Sequence, residues 1–283
     1  MKLGRFTGGF YACFALVIFS MIFIMTASFS AHITVDECRS TGLPILSIET
    51  ENGKKIKSKT KYLKENWNLE SRGQIKSGSC KIRGRGNTTW QTRELYKKPY
   101  LLKLNKAESL LGLAKSEKWV LMANTADKTS LRNFYAEYLA KNVFTNQAWV
   151  PSSKFIILYI NGRFEGLYAL TEKVEMTEGR LMPENKEAFQ ESFLAEVNQK
   201  QDKEWNFTTA RGIPVSIRKK FESDNLYKGN IGNDDYKKQS YADSEKIYQK
   251  YQEKIQAAEN VLFSENFSDA KTGYRKYLDF DSF

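Results

Sequence analysis

The 283-residue sequence contains a single histidine, His32, which follows an apolar N-terminal run. Ser-His-Asp and Cys-His catalysis, zinc sites with histidine ligands and histidine-kinase chemistry all need imidazole nitrogens. The sequence therefore excludes these mechanisms. Lys, Arg, Asp, Glu, Ser and Tyr remain as catalytic side chains, and Mg²⁺ held by carboxylates fits that inventory.

Cysteine is also scarce, since the chain has three and no CxxC pair. This excludes the usual thiol-redox motif and cysteine-rich metal sites. Cys13 lies in the apolar run and is interpreted as an inert small hydrophobic residue. An exported compartment would permit a disulfide between Cys38 and Cys80. Two free thiols fit equally well, and the sequence leaves the choice open.

Acidic residues are fewer than basic ones, which gives a formal net charge of +11. Such an excess favours an anionic partner, such as a nucleotide phosphate, a nucleic acid, an anionic cell envelope or an acidic protein. A solvated lysine-rich surface is the simpler interpretation. The chain has no long basic run, RNA-binding signature or zinc-finger spacing, which argues against nucleic-acid binding.

The N-terminus has the pattern of a targeting segment. Lys2 and Arg5 precede an uncharged apolar run at residues 10–27, and small residues follow before His32. Residues 1–31 are therefore predicted to be a cleaved signal peptide or an N-terminal membrane anchor, and both remain open. In either case residues 32–283 are predicted to be exported, and an uncleaved run would hold them at a membrane.

Hydrophobic periodicity and turn residues predict the elements of the remaining chain. Hairpin turns are predicted at Asn52-Gly53 and Asn161-Gly162, segment 59–73 is polar and poorly patterned, and segment 226–241 has loop composition. The predicted strands are 44–50, 80–84, 99–105, 118–123, 154–160, 164–174, 193–197 and 214–218, and the predicted helices are 127–142 and 244–263. A strand-rich first half and a mixed second half indicate the α+β class.

The sequence RGRGN, residues 83–87, is a Gly-rich turn that could hold an anion. Gly84 and Gly86 allow the backbone to approach a ligand and expose its amides. Arg83 would add positive charge and Asn87 a hydrogen-bond donor. The turn lacks the GK[ST] ending of a Walker A loop and the third glycine of GxGxxG. A tight hairpin and a phosphate site therefore both remain open from this motif alone.

Lys103 lies in the apolar strand YLLKLN, downstream of this turn. A kinase lobe places a Gly-rich loop over the phosphates and a strand lysine on the phosphate oxygens, and a helix glutamate pairs with that lysine. Glu137 is a candidate for that glutamate, and Glu172 ends a strand where a hinge would contact nucleotide. The alternative interpretation makes all three surface charges, with Glu172 in an edge-strand salt bridge.

Several segments in order resemble the CotH kinase-like family, named after spore coat protein H. They are LPILSIET, RGRGNTTW, KKPYLLKLN, SLLGLAKSEKWVLMAN, DKTSLRN and FIILYINGRFEGLYALTEKVE, with weaker matches at FLAEV, FTTARGIPVSIRKK and YRKYLDFDSF. The resemblance covers most of residues 43–283 and makes residues 32–283 a CotH kinase-like domain. It implies an atypical protein-kinase-like fold, mostly the strand-rich N-terminal lobe plus the start of the helical lobe.

The resemblance further implies ATP with Mg²⁺ or Mn²⁺ as cofactors, and serines of coat or envelope proteins as substrates. An exported or spore-coat location is also implied. The nucleotide-binding residues expected from the kinase pattern and the resemblance are Arg83, Gly84, Gly86, Asn87, Lys103, Glu137 and Glu172.

The sequence departs from the family at the residues that carry catalysis. Members have a catalytic Asp near an Asn-x-Asp stretch and a metal-binding Asp near a Trp-Asp-Phe stretch. No Trp-Asp-Phe stretch occurs here, and the one Asn-x-Asp, residues 233–235, precedes the YRKYLDFDSF segment instead of following it. Asp279 and Asp281 match the segment just before that region, so no catalytic or metal-binding residue is assigned. The expectation is a domain that is incomplete at its C-terminus and inactive as a kinase. The alternative is a non-catalytic envelope or spore-coat binding module that uses a basic surface.

Overall fold

A computed structural model describes residues 33–92, 96–144, 149–177, 179–181, 192–199, 205–217 and 235–277, with backbone only for 235–244. The chain divides into two compact units, Met1–Leu43 and Pro44–Phe283. The predicted targeting segment, residues 1–31, lies outside the described residues. Within the described ranges, no helix has both the length and the hydropathy needed to cross a bilayer.

The described part of the first unit is the short helix α1, Val35–Ser40. A capping box begins it: the Thr34 hydroxyl accepts a hydrogen bond from the Glu37 amide at 3.2 Å, and the Thr34 amide donates to Glu37 Oε2 at 2.7 Å. Cys38 on this helix and Cys80 in the second unit are both buried, and the two do not form a disulfide.

A closed seven-stranded barrel dominates the second unit, with strand order β1-β2-β3-β4-β5-β7-β6. The strands are β1 (Ile45–Thr50), β2 (Leu63–Ser71), β3 (Gln74–Gly84), β4 (Tyr100–Glu108), β5 (Ser116–Met122), β6 (Ser153–Ile160) and β7 (Arg163–Glu172). Neighbouring strands are antiparallel except β1 and β6, whose parallel pairing closes the barrel. Asn161 reinforces this closure, because its Oδ1 accepts from the Thr50 amide at 2.7 Å.

Alternate residues of the strands point inward and form one apolar core, which includes Ile48, Trp67, Leu102 and Trp119. Two helices interrupt the strand sequence: α2 (Thr88–Gln91) before β4, and α3 (Arg132–Asn142) between β5 and β6. Phe134 of α3 stacks on Phe155 of β6, with ring centroids 3.9 Å apart. The core and this stacking fix the strands that carry the candidate site.

A three-stranded sheet and a long helix follow the barrel in sequence. The sheet has the order β8-β10-β9. Its strands are β8 (Ala195–Val197), β9 (Trp205–Thr208) and β10 (Pro214–Ile217), and the helix is α4 (Asp235–Leu262). Tyr251 of α4 is fully buried in a small core with Phe207, Val215 and Ile217.

The α+β class and most predicted strands are confirmed, but three predictions are wrong. The hairpin turn predicted at Asn52-Gly53 is a 3₁₀ turn, Glu51–Gly53, after which the next strand, β2, begins only at Leu63, and the loop predicted at 226–241 is helical from Asp235 onward. Segment 59–73, which had no predicted element, is largely strand β2. Helix α3 begins at Arg132 instead of residue 127. Asp127 lies before it and accepts from the Arg132 amide at 2.9 Å, so the capping residue is separated from the helix by a turn.

Candidate functional site

The Gly-rich turn leaves the end of β3 and leads into α2. The Gly84 amide donates to the Ser58 carbonyl at 2.8 Å, and the Arg85 amide donates to the Pro99 carbonyl at 3.1 Å. A side chain at position 84 would overlap the Trp90 ring, and Gly86 has a φ of 82°. Both glycines are therefore needed for the shape of this turn.

Two basic side chains brace the turn through its backbone. Lys59 Nζ donates to the Gly86 carbonyl at 2.9 Å and to Asn87 Oδ1 at 3.0 Å. Arg83 Nη1 donates to the Lys59 carbonyl and, at 3.1 Å, to the Gly84 carbonyl. Nη1 of Arg83 is thus already bonded to two backbone carbonyls. Sequence reasoning missed Lys59, because no motif connects it to a turn 27 residues away.

The turn leaves a short series of backbone amides without acceptors. Within the described residues, the N–H groups of residues 86–89 make no hydrogen bond, whereas the amides of Trp90 and Gln91 both donate to the Asn87 carbonyl. Consecutive amides without acceptors, close to the Lys59 ammonium, make this edge of the turn positive. Chemically, this edge can donate hydrogen bonds to an anion.

Lys103 lies on the outer face of β4, because the neighbouring Leu102 and Leu104 point into the core. Its side chain is 40% exposed, and its Nζ lies 3.6 Å from Glu117 Oε2. Glu137 on α3 pairs instead with Lys141, at 2.8 Å. Lys103 and Glu137 are therefore each paired with another residue and not with one another. The nucleotide roles of Lys103 and Glu137 stay predictions.

Glu172 is buried at the end of β7. Its Oε1 accepts from the Ala114 amide at 2.8 Å, and its Oε2 accepts from the Ser152 amide at 3.0 Å. The carboxylate therefore joins two loops through backbone amides, which is a structural use of the side chain. A nucleotide contact of Glu172 remains a prediction.

A buried ion cluster just beyond β7 was not predicted from the sequence. Arg180 Nη1 donates to Glu175 Oε1 at 2.8 Å, and Glu175 Oε2 lies 3.4 Å from Lys118 Nζ and 3.3 Å from Lys173 Nζ. The guanidinium also lies over the Trp119 ring, 5.1 Å from its centroid. Burial lowers the pKa of Arg180. The cluster fixes the segment after β7 against β5.

The described residues contain no group of three or more His, Cys, Asp or Glu side chains that could hold a metal ion. No residue is therefore assigned as a ligand for Mg²⁺ or Mn²⁺, and no chemical step is derived through a metal. The unbonded amides of the turn, by contrast, have the donor chemistry that a nucleotide phosphate requires.

Comparison with known proteins identifies the family. The model of the CotH kinase protein family matches residues 82–283, which is more than half of the chain. The chain belongs to the CotH kinase family. The match begins near the end of β3, directly before the Gly-rich turn, so the CotH region includes the turn, β4, α3 and the β6–β7 hairpin. No curated protein matches the chain.

Proposed function

We propose that the chain binds ATP, together with Mg²⁺ or Mn²⁺, at the Gly-rich turn of an atypical kinase-like nucleotide lobe. The observation that carries the proposal is the series of unbonded amides at residues 86–89 beside the Lys59 ammonium. Membership of the CotH kinase family supplies the ligand class. The amides and Lys59 would hold phosphate oxygens, and Gly84 and Gly86 would keep the backbone close to them.

The order of elements supports the kinase-like part of this proposal. A Gly-rich turn, a strand lysine and a helix glutamate follow one another in kinase lobes, and the turn, Lys103 on β4 and Glu137 on α3 follow in that order here. The present pairs of Lys103 and Glu137 are partly exposed, and exposed ion pairs typically contribute only about 0–1 kcal/mol. Loss of these two ion pairs when nucleotide binds would therefore cost little.

The proposed setting is an exported or membrane-anchored protein whose family acts on spore-coat or envelope proteins. For the 283-residue chain alone we propose nucleotide binding without phosphoryl transfer, because the sequence has no Trp-Asp-Phe stretch and its one Asn-x-Asp, residues 233–235, precedes the YRKYLDFDSF segment. Transfer needs a residue that orients the hydroxyl and a metal that bridges the phosphates. Radiolabelled phosphate transfer to a serine substrate by this chain with Mg²⁺ or Mn²⁺ would refute this part.

Calorimetric titration of the purified full chain with ATP and Mg²⁺ tests the binding proposal. Lys103→Ala and Lys59→Ala are each expected to weaken binding about tenfold or more, since each removes a charge-assisted contact of roughly 1.5–3 kcal/mol. Lys106→Ala is the matched control, because Lys106 is exposed on the same strand. Absence of ATP binding to the unmodified chain, or an equal loss in the control, would contradict the proposal.

A second candidate function is a non-catalytic envelope or spore-coat module that uses a basic surface. The net charge of +11 favours it. Under this alternative, coat or wall components would be retained by the protein in a salt-sensitive pull-down, and ATP would have no measurable affinity.

A further inference from the structure

Four lysines lie directly opposite one another on four adjacent strands of the barrel. Lys64 of β2 pairs with Lys81 of β3, Lys81 pairs with Lys103 of β4, and Lys103 pairs with Lys118 of β5. We call these four residues the lysine row. Both chain neighbours of Lys81 and of Lys103, and Trp119 after Lys118, belong to the core, so these lysines point outward.

The row brings like charges together, which destabilises a sheet when they lie directly opposite. Partial neutralisation occurs at one end only, where Lys103 lies 3.6 Å from Glu117 and Lys118 lies 3.4 Å from Glu175. Lys64 and Lys81 are exposed and form no ion pair with any described residue. At one end of the row, no ion pair offsets the cost of these like charges in stability. A retained cost of this kind is typical of a surface that functions in binding.

We propose that the lysine row binds an extended acidic segment of a partner protein. Adjacent strands lie about 4.8 Å apart, so the row is about 14 Å long. An extended peptide with an acidic residue at every second position presents carboxylates about 6.8 Å apart on one face. Two or three carboxylates therefore fit along the row, and the flexible lysine stems adjust to the difference in spacing.

The composition of the row favours a peptide over single-stranded nucleic acid. Proteins that bind single strands combine a basic groove with aromatic side chains on which bases stack, and the row itself contains only lysines. Lys64 and Lys81, at the end of the row without ion pairs, have no role in the proposed nucleotide site. Peptide binding at that end is therefore independent of ATP binding. Variants of these two residues therefore separate the two functions.

The test measures fluorescence anisotropy of a labelled decapeptide of alternating Glu and Ser, with the full chain kept in a mild detergent. The Lys64→Gln/Lys81→Gln double variant is expected to weaken binding about fivefold to tenfold, in line with two exposed ion pairs. Lys55→Gln/Lys57→Gln removes the same charge from exposed positions outside the row and is expected to leave the affinity nearly unchanged. Higher salt should weaken binding of the unmodified chain.

A second measurement separates binding from stability. Lys81→Glu places an acid between Lys64 and Lys103, so it is expected to raise the melting temperature while it weakens peptide binding. Absence of peptide binding, an equal loss in the Lys55/Lys57 control, or a lower melting temperature for folded Lys81→Glu would overturn the proposal. Tighter, row-dependent binding of a deoxythymidine decamer would replace the acidic peptide by nucleic acid and would also overturn it.

Discussion

Glu65 places a carboxylate inside the barrel, on a strand whose other inward residues include Trp67 and Leu69. Both carboxylate oxygens are buried and no described group donates to them at good hydrogen-bond geometry, although the Glu51 backbone amide is close enough to offset part of the effect of burial on the pKa. Burial, with a smaller contribution from the charge of Glu51, raises the pKa of Glu65 to about 7. The Cys80 thiol lies opposite on β3, and burial together with the charge of Glu65 raises its pKa to about 12.

Replacement of Glu65 by Gln should change the pH dependence of stability. Because the folded-state pKa is about 7 and the ordinary value is 4.5, Glu65 favours folding at low pH, and this contribution is lost as pH rises between these values. The loss corresponds to about 3 kcal/mol. Denaturant unfolding near pH 5 and pH 8 should show a steeper pH dependence in the unmodified chain than in Glu65→Gln.

The matched control is Glu49→Gln, at an exposed position of the neighbouring strand β1. It should retain the pH dependence of the unmodified chain. If Glu65→Gln retained it as well, the buried carboxylate would not be its source.

The contact between Gly84 and Trp90 predicts a second effect of a single residue. A methyl group at position 84 would overlap the Trp90 ring, and such overpacking typically costs about 1–3 kcal/mol. Gly84→Ala should therefore lower the free energy of unfolding and weaken any ligand binding at the turn. Adding Trp90→Leu to Gly84→Ala should recover part of the lost stability, whereas Trp90→Leu alone should destabilise. Additive losses in the double variant would exclude the proposed clash.

At the scale of elements, strands with regular alternation were predictable and β2 was not. Strands β1, β6 and β7 have apolar, β-branched runs bounded by turn residues. The hairpin turn at Asn161-Gly162, which joins β6 and β7, has the positive φ values that Asn and Gly favour. In β2 the alternation exists, but Glu65 occupies an inward position and polar residues occupy the outward ones. Closure of the barrel places that carboxylate inside, and this closure depends on pairing between distant strands that no local sequence pattern predicts.

The same limit applies to the candidate site. The glycines of the turn were predictable because Gly has a specific backbone role. The brace from Lys59 and the ion cluster of Glu175 and Arg180 depend on strand register and on contacts between distant segments. The apolar spacing of α3 was also a poor guide to burial. Leu131, Tyr135 and Tyr138 are all more than half exposed, whereas Phe134 stacks on Phe155.

The hairpin that joins β6 and β7 gives a prediction for an element. Asn161 has a φ of 53°, and its Oδ1 accepts from both the Thr50 amide and the Thr50 hydroxyl. Asn161→Ala should destabilise the protein by about 2–4 kcal/mol, because it adds left-handed strain and leaves the Thr50 donors without this acceptor. Asn52→Ala is the control, since Asn52 has a φ of 56° and lies in an exposed turn.

Urea unfolding of both variants separates strain from hydrogen bonding. The control should show the cost of strain alone, so the difference between the variants measures the contribution of Asn161 to barrel closure. Equal destabilisation of the two variants would mean that the bonds to Thr50 contribute nothing.

At the scale of the whole molecule, the barrel joins a matched and an unmatched part of the sequence. The CotH match begins at residue 82, so β1 and β2 precede it, yet both are integral strands of the same closed sheet. A fragment that starts at residue 82 would lack β1, β2 and most of β3, so β6 would lose its parallel partner and the barrel could not close. The nucleotide and peptide experiments therefore require the full chain.

The parallel pairing of β1 with β6 also affects how the chain folds during its synthesis. Thr50 and Asn161, which meet at this closure, are separated by 111 positions. A ribosome that adds about 5–20 residues per second needs roughly 5–20 s to synthesise that length. During this interval β1 and β2 can form a hairpin, but the free edge of β1 has no partner from its own chain. The nascent protein is then most exposed to pairing with other chains, and a chaperone would have its greatest effect on yield in this interval.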